Sequence, residues 1–461
     1  MSSARLTLGA LAIAVALGGC TLFQPERREQ RPLGVPQAWQ QQPASQNAAA
    51  MPQTRWWTAF HDPRLDTLID NALRTNNNLA AAGIRVQRAQ LQAGLANTNL
   101  TPGVTGQVGT SRSFDLKRGG VAASSANTSL NLSYEIDLWG RLSAQRSAAD
   151  WELQATESDR EATALALVGT TAGLYWQSGY LNHRIALSEA GMADARRIQA
   201  LVRAKYAAGA VSGLDVAQAG QNLASQEAAH TQLLQQRVEA RNALAILFDM
   251  PPDTPKEEPS RLPDTALPVI DAGLPASLLG RRPDLRAAEQ RLRASLANVN
   301  ATRTGFYPTL SLTGSLGAGS TALGEVLKNP IATLGAGLVL PFLQWNTARL
   351  TVAVSQTQYE EAVVGFRQSL YTALSEVENT LSSRTQLQDE SVKLALALQQ
   401  AQRAEALSEV RYRAGATALQ PVLDAKDKRR IAEVSVAQNR LNQLNATMTL
   451  YKALGGAATV E

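Results

Sequence analysis

Beyond its first twenty residues this 461-residue chain has no long uncharged apolar run, which argues against a helical membrane span in its body. Any membrane contact there has to take another form. Histidine is scarce: His61, His183 and His230 stand far apart and in neither a metal-ligand nor a catalytic spacing. No Gly-rich phosphate loop occurs either, so the sequence offers no residue set for covalent chemistry and reads as a non-enzyme with no metal site and no dissociable cofactor. A net charge of +5 raises the question of nucleic acid, but the basic residues are dispersed among acids along helical stretches, as on solvated faces. Nucleic acid is set aside on that ground. What remains is a globular composition, 44% hydrophobic and 18% charged.

Cysteine occurs once, at Cys20. Ahead of it stand one positive charge, Arg5, an apolar stretch from Leu6 to Leu17 and two glycines, the layout of a secretory signal too short to span a bilayer. An incidental cysteine after an ordinary signal peptide is one reading. The other is that Leu17-Gly18-Gly19-Cys20 resembles a bacterial lipobox, which implies a diacylglycerol and an N-palmitoyl group on Cys20. Thr21 follows where an Asp would favour inner-membrane retention in lipoproteins, so the expected location is the outer membrane. Residues 1–19 are then a signal peptide and 20–62 a lipid-anchored N-terminal segment.

Set against itself at an offset of 206, the chain pairs Leu79 with Leu285, Pro102 with Pro308, Trp139 with Trp345, Tyr206 with Tyr412, Ala208 with Ala414 and Gly209 with Gly415. Six identities at one offset point to an internal duplication: repeat 1 over 63–250, repeat 2 over 283–456 and a short tail, 457–461. Between the repeats, 251–282 is proline-rich and reads as an extended connector without a core of its own. Each repeat runs in the same order. A helix comes first, about Pro63 to Asn99 or Pro283 to Gly305. Two alternating stretches around a Gly/Ser-rich loop follow, about Gly103–Arg112 and Ser129–Leu138, then Thr309–Gly317 and Leu334–Leu343. Last comes a very long helical stretch broken once, at "YAAGAVSGLD" or "YRAGATALQP". No proline interrupts Arg141 to Lys205, and at ~1.5 Å per residue such a helix is about 100 Å long. A scaffold coiled coil would account for the helices alone.

The alternating stretches carry the argument further. Leu130, Leu132, Tyr134, Ile136 and Leu138 alternate with Asn131, Ser133, Glu135 and Asp137. A two-faced strand of about ten residues matches what a tilted membrane strand needs. Apolar side chains would then face lipid and polar ones a water-filled lumen. Strands in hydrocarbon must close on themselves, and four cannot, since small barrels need about eight. Several chains must therefore share one barrel, and of eight or twelve strands only the larger leaves a wide lumen. Trp139 and Trp345 stand where a strand hands over to a helix, and Phe306 and Tyr307 at a strand entry, positions that suit an interfacial aromatic girdle.

The segments "LSYEIDLWGRL", "KYAAGAVSGLDVAQA", "LPASLLGRRPDLRAAEQRL", "RYRAGATALQPVLDAK" and "YKALGG" resemble, in order and spacing, the TolC-type outer membrane factors of the NodT lipoprotein branch, from about Trp56 to Gly456. The resemblance implies a mixed α and β membrane protein, a homotrimer sharing a twelve-stranded β-barrel that continues into a long α-helical periplasmic tunnel. It implies an exit duct for small molecules in a tripartite efflux pump, with a periplasmic adaptor and an inner-membrane transporter of the proton-driven type as partners. The broken turns become periplasmic tips: Tyr206, Gly209 and Gly415 for adaptor docking, Tyr412 and Asp424 for a gate in which Tyr412 hydrogen-bonds neighbouring helices and Asp424 forms an acidic constriction. Gly209 and Gly415 also fit helix C-caps, and Asp424 also fits a solvated helix N-terminal residue. Two departures stand out. Gln420 and Pro421 replace branched apolar residues at the gate, and "PFLQWNTARL" replaces a Gly-containing exit from the second strand pair. A channel for type I protein secretion has the same plan. A periplasmic adaptor lipoprotein would lack the four strands.

Overall fold

The computed structural model describes residues 32–41, 55–117, 119–252, 258–273 and 275–456. In chain order the elements are helices α1 (Pro63–Thr75) and α2 (Asn77–Thr98), strands β1 (Gly103–Asp115) and β2 (Gly120–Ile136), and helices α3 (Arg141–Ala207) and α4 (Gly213–Leu247). After the connector come the short α5 (Leu278–Arg281), then α6 (Pro283–Thr304), β3 (Thr309–Ser320), β4 (Pro330–Val339), α7 (Trp345–Arg413) and α8 (Gln420–Ala453). The bounds keep the offset seen in the sequence: Gly103 and Thr309 open the first strand of each pair, and Ala207 and Arg413 close the long helices.

Several bounds differ from the sequence reading. The first helix is two helices. Asn76 between them takes an extended ψ of 125°, its Oδ1 accepts from the backbone N–H of Asn78 and Leu79, and its Nδ2 donates to the carbonyl of Leu247. It is a buried N-cap, which stops one helix and starts the next. Strand β2 begins at Gly120, so most of the expected Gly/Ser-rich loop is strand. Strand β4 is Pro330–Val339, because Pro341 lacks an N–H and opens a 3₁₀ turn, Pro341–Leu343.

The described residues divide into two compact units, each drawn from both repeats: 84–158 with 286–369, and segments of 34–83 and 159–285 with 370–456. The repeats of the sequence are thus not the packing units. In the first unit, β1-β2-β3-β4 form one antiparallel sheet in chain order, with helix segments from both repeats. Ser158 donates to Gln290 there at 2.9 Å, and Arg291 pairs with Glu152.

The second unit holds the main core. Trp56, Trp57, Leu65, Ile69, Trp176, Leu181, Leu244, Leu278, Leu285, Leu370 and Leu444 are fully buried in it. Trp56 stacks on Tyr451 with centroids 4.7 Å apart, and Phe60 meets Trp176 at 5.0 Å. The connector, which has no core of its own, packs on this one: Leu262, Ile270 and Ala272 are buried in it. Guanidiniums strap its backbone, Arg440 donating to the carbonyls of Pro263 and Thr265 and Arg384 to that of Pro268. A proline-rich segment cannot bond to itself, so side chains of the helices satisfy its carbonyls.

Candidate functional site

The sheet sorts its side chains by register. Pairing aligns Val104, Leu132, Gly314 and Leu334 in one row, and Gly106, Leu130, Leu316 and Ala332 in another. Between them, on the opposite face, lies Thr105, Asn131, Ser315 and Thr333. A period of two makes this alternation consistent across all four strands. One face is therefore mainly apolar and the other is built mainly of hydroxyl, amide and glycine, interrupted by Ala123, Ile331 and Val339. Charge is nearly absent: of the strand residues only Arg112, Asp115 and Glu135 carry any. Most of the apolar face is uncovered among the described residues, Leu334 being 90% and Val108 79% exposed, while Ala126 and Ala318 near the end away from the helices are buried. Strands β1 and β4 each pair on one side only, leaving two rows of backbone donors and acceptors open.

At the end of the sheet that joins the helices, Trp139 and Tyr307 come together. Their rings meet edge to face at 5.4 Å, and Trp139 Nε1 donates to the carbonyl of Pro308 at 2.8 Å. Nearby, Arg141 forks onto Glu135, and Asp137 caps α3 by accepting from the N–H of Leu142 and Ser143. Gly140 supplies a φ of +73° in that turn. The second handover is built differently, as its sequence suggested: the 3₁₀ turn replaces the glycine. Trp345 opens α7, 64% exposed, with the Arg349 guanidinium 5.9 Å from its ring. Phe306 is half-buried. The four aromatics thus form one close pair and two separate residues.

The two broken turns share one hydrogen-bond pattern in the second unit. Gly209 N–H donates to the carbonyl of Tyr206 and Ala210 N–H to that of Lys205; Gly415 and Ala416 repeat this with Tyr412 and Arg411. Both are Schellman caps, with φ of +71° at Gly209 and +75° at Gly415, where a Cβ would be strained. Ser212 and Asp215 then close a capping box on α4. The hydrogen bonds from the Ser212 hydroxyl and N–H hold the Asp215 carboxyl below the usual carboxylate range.

The repeat-related tyrosines differ in role. Tyr206 is exposed, whereas Tyr412 is buried with Val202, Ala219, Leu419, Val422 and Leu423. The Lys205 ammonium lies 4.3 Å from the Tyr412 ring centroid. The Tyr412 hydroxyl has no hydrogen-bond partner among the described residues, so within one chain the expected bond to a neighbouring helix is replaced by ring packing. Burial, with Asp215 second, pushes this hydroxyl above its ordinary pKa. Asp424 is exposed on the first turns of α8, and Gln420 Nε2 donates to its Oδ1 at 2.7 Å. The residue that departs from the family pattern is the one that orients the acid.

An ion cluster behind the turns escaped the sequence reading. Lys426 Nζ lies 2.6 Å from Glu409, 3.0 Å from Glu405 and 3.5 Å from Asp194, while Arg429 contacts Glu405 and Glu433. It ties α3, α7 and α8 together. Burial pulls the Lys426 ammonium down, but the hydrogen bonds it donates to Glu409 and Glu405 more than compensate and hold it above its ordinary value. The three histidines fall in separate elements, at the end of a 3₁₀ turn, in α3 and in α4. Cys20 lies outside the described residues.

The family described as outer membrane efflux protein matches residues 68–248 and 274–456. The pyoverdine export outer membrane protein OpmQ of Pseudomonas putida is 34% identical over 97% of this chain and 96% of its own length. Among solved structures, the Campylobacter jejuni CmeC outer membrane channel superposes with a TM-score of 0.85 at 25% identity, covering 94% of both chains. The open-state MtrE outer membrane channel of Neisseria gonorrhoeae gives 0.80 at 29% identity, covering 94% of this chain and 98% of its own.

Proposed function

This chain belongs to the outer membrane efflux protein family, and from that premise we propose how an outer-membrane channel of an efflux pump is built from it. The observation that carries the reading is the four-stranded sheet with one apolar face, one nearly uncharged polar face and two open edges. In a bilayer the apolar rows face lipid and the polar rows face water. The open edges are satisfied only by other copies, and three copies give a twelve-stranded barrel with a lumen wide enough for small molecules. The protein is a homotrimer in this account, and the helices carry the duct into the periplasm. Trp139 and Tyr307 mark the helix-side interface, with Trp345 and Phe306 at the same level.

The turns at Tyr206, Gly209 and Gly415 are the surfaces offered to a periplasmic adaptor, which couples the duct to an inner-membrane transporter of the proton-driven kind. Cys20 carries the diacylglycerol and N-palmitoyl anchor. Cys20→Ser is expected to abolish incorporation of labelled palmitate, and undiminished labelling would exclude that anchor.

Asp424 is the constriction. Three copies around an axis bring like charges together, repelling one another unless they hold a cation or a proton. Asp424→Ala is expected to raise single-channel conductance in planar bilayers and to weaken cation preference. Unchanged conductance and selectivity would remove Asp424 from the gate. Gln420→Ala, which frees the carboxylate without removing it, is expected to retain selectivity and shift conductance less.

A further inference from the structure

The apolar face of the sheet does not stop at the lipid-facing leucines. Along β1 the same face runs from Val104 and Val108 through Thr110 to Arg112 and Phe114. Val104 to Arg112 is eight residues, about 26 Å along the strand and about 20 Å of height at barrel tilt. Arg112 therefore falls at the rim of an apolar band roughly 25 Å tall, at the end of the sheet away from the helices. There the register shifts between Ser113 and Phe114: Ala123 pairs with Ser113 but Val121 with Phe114, leaving Ala122 as an extra residue. This bulge turns Val121 onto the apolar face beside Phe114. Phe114 is 60% and Leu116, in the turn, 97% exposed.

Cations accompany this apolar tip. The Arg112 guanidinium lies 6.0 Å from the Phe114 ring centroid, and Lys117 is exposed in the turn. Neither forms an ion pair with a carboxylate among the described residues, and an Oδ1 of the neighbouring Asp115 is taken by the Lys117 backbone N–H at 2.8 Å. The β3–β4 connection is different: its Lys328 is paired with Glu325 at 2.7 Å. Unpaired cations and exposed apolar side chains thus share one hairpin.

We propose that the β1–β2 hairpin is a docking site for the phosphorylated glycolipid of the outer leaflet, lipopolysaccharide, with Arg112 and Lys117 on its phosphates, Val108 and the apolar face below Arg112 on its acyl chains, and Phe114 and Val121 beside the guanidinium at the level of its headgroup. The proposal rests on the channel reading, which puts this hairpin on the outer side. Continuity with the lipid face selects a lipid over a soluble anion, the guanidinium suits a phosphate, and the side of the membrane selects lipopolysaccharide over phospholipid.

Native mass spectrometry of the full-length protein in mild detergent tests it, titrating with rough-type lipopolysaccharide, its dephosphorylated form, phosphatidylglycerol and inorganic phosphate. Wild type is expected to bind the phosphorylated glycolipid about tenfold tighter than the dephosphorylated one, an effect on the scale of two surface cations on an anionic lipid. R112Q/K117Q is expected to erase that preference and R112K/K117R to restore it. Equal binding by wild type and R112Q/K117Q, or phosphatidylglycerol or inorganic phosphate binding as tightly as lipopolysaccharide, would overturn the site. Planar-bilayer recordings on the same preparations separate the two claims: conducting channels without phosphate-dependent binding overturn the lipid site alone, and wild-type protein that forms no channel overturns the channel reading beneath it.

Discussion

Leu334→Arg should abolish channel assembly, whereas Thr333→Arg, one residue away, should leave the channel in the membrane. Leu334 lies mid-strand on the apolar face, in a row with Val104, Leu132 and Gly314, and is 90% exposed. An arginine there costs about 2–4 kcal/mol at the bilayer midplane, and a closed trimer meets that cost three times over. Thr333 belongs to the row Thr105, Asn131, Ser315 and Thr333 on the polar face. An arginine in a water-filled lumen stays hydrated, so its effect is on conduction: three cations should reduce cation preference. Outer-membrane fractionation, followed by channel recording, checks both. Equal loss of both variants, or survival of Leu334→Arg, would contradict the face assignment.

The second large effect concerns stability. Arg282 is 8% exposed and holds three groups at once. Its guanidinium forks onto Asp284, reaches Glu376 at 2.7 Å and donates to the carbonyl of Ala453 at 3.3 Å. It thereby joins the start of α6, the middle of α7 and the end of α8. The chain closes over it: Gly455 turns with φ +77°, and a Cβ there would stand 2.6 Å from the Arg281 carbonyl carbon. Arg282→Ala leaves two carboxylates and a carbonyl without their partner. Breaking a buried pair costs about 3–5 kcal/mol; both carboxylates are half exposed and can rehydrate, which puts the expectation near the lower end, about 3 kcal/mol. A lower urea midpoint of the helical signal is the readout.

The pH dependence has a definite sign. Burial pushes Asp284 up, but Arg282 more than reverses this and holds it below its usual value. A carboxyl depressed in the folded state contributes stability above its unfolded pKa, lost as pH falls through the folded one. The gap between wild type and Arg282→Ala should therefore narrow in acid. A gap independent of pH would show that packing, not charge, carries the effect.

What could be read from sequence follows from the range of each interaction. Alternation in 130–138 fixes a face whatever the neighbours are, so the lipid-facing and water-facing rows were legible before any pairing was known. Gly209 and Gly415 were legible as caps because a left-handed residue is a local demand. The outer half of β2 was not. Its small residues, Ala122 to Ala126, show no alternation, and pairing with β1 supplies what propensity lacks. Asn76 inside an otherwise helical pattern gave no sign that its side chain would bond Leu247, 171 positions away. The cluster around Lys426 was hidden for the same reason, since Asp194, Glu405 and Glu409 come from two other helices. Side chains that act through local geometry leave a mark in the sequence; those that act through tertiary contact do not.

The central claim is that the open edges of the sheet are closed by other copies of the chain. Within one chain β1 and β4 are separated by β2 and β3, about 14 Å at the usual strand spacing, twice the ~7 Å limit for a disulfide. A disulfide between cysteines on these two strands must therefore link different copies. The most direct measurement places a cysteine at Thr105 of β1 together with one at Thr333, Gly335 or Gly337 of β4, oxidises intact outer membranes and resolves the products by non-reducing electrophoresis. The account predicts a ladder ending at a covalent trimer for at least one pair, and none for the single variants. A chain that stays monomeric for every pair, or a ladder that runs past three, would contradict it.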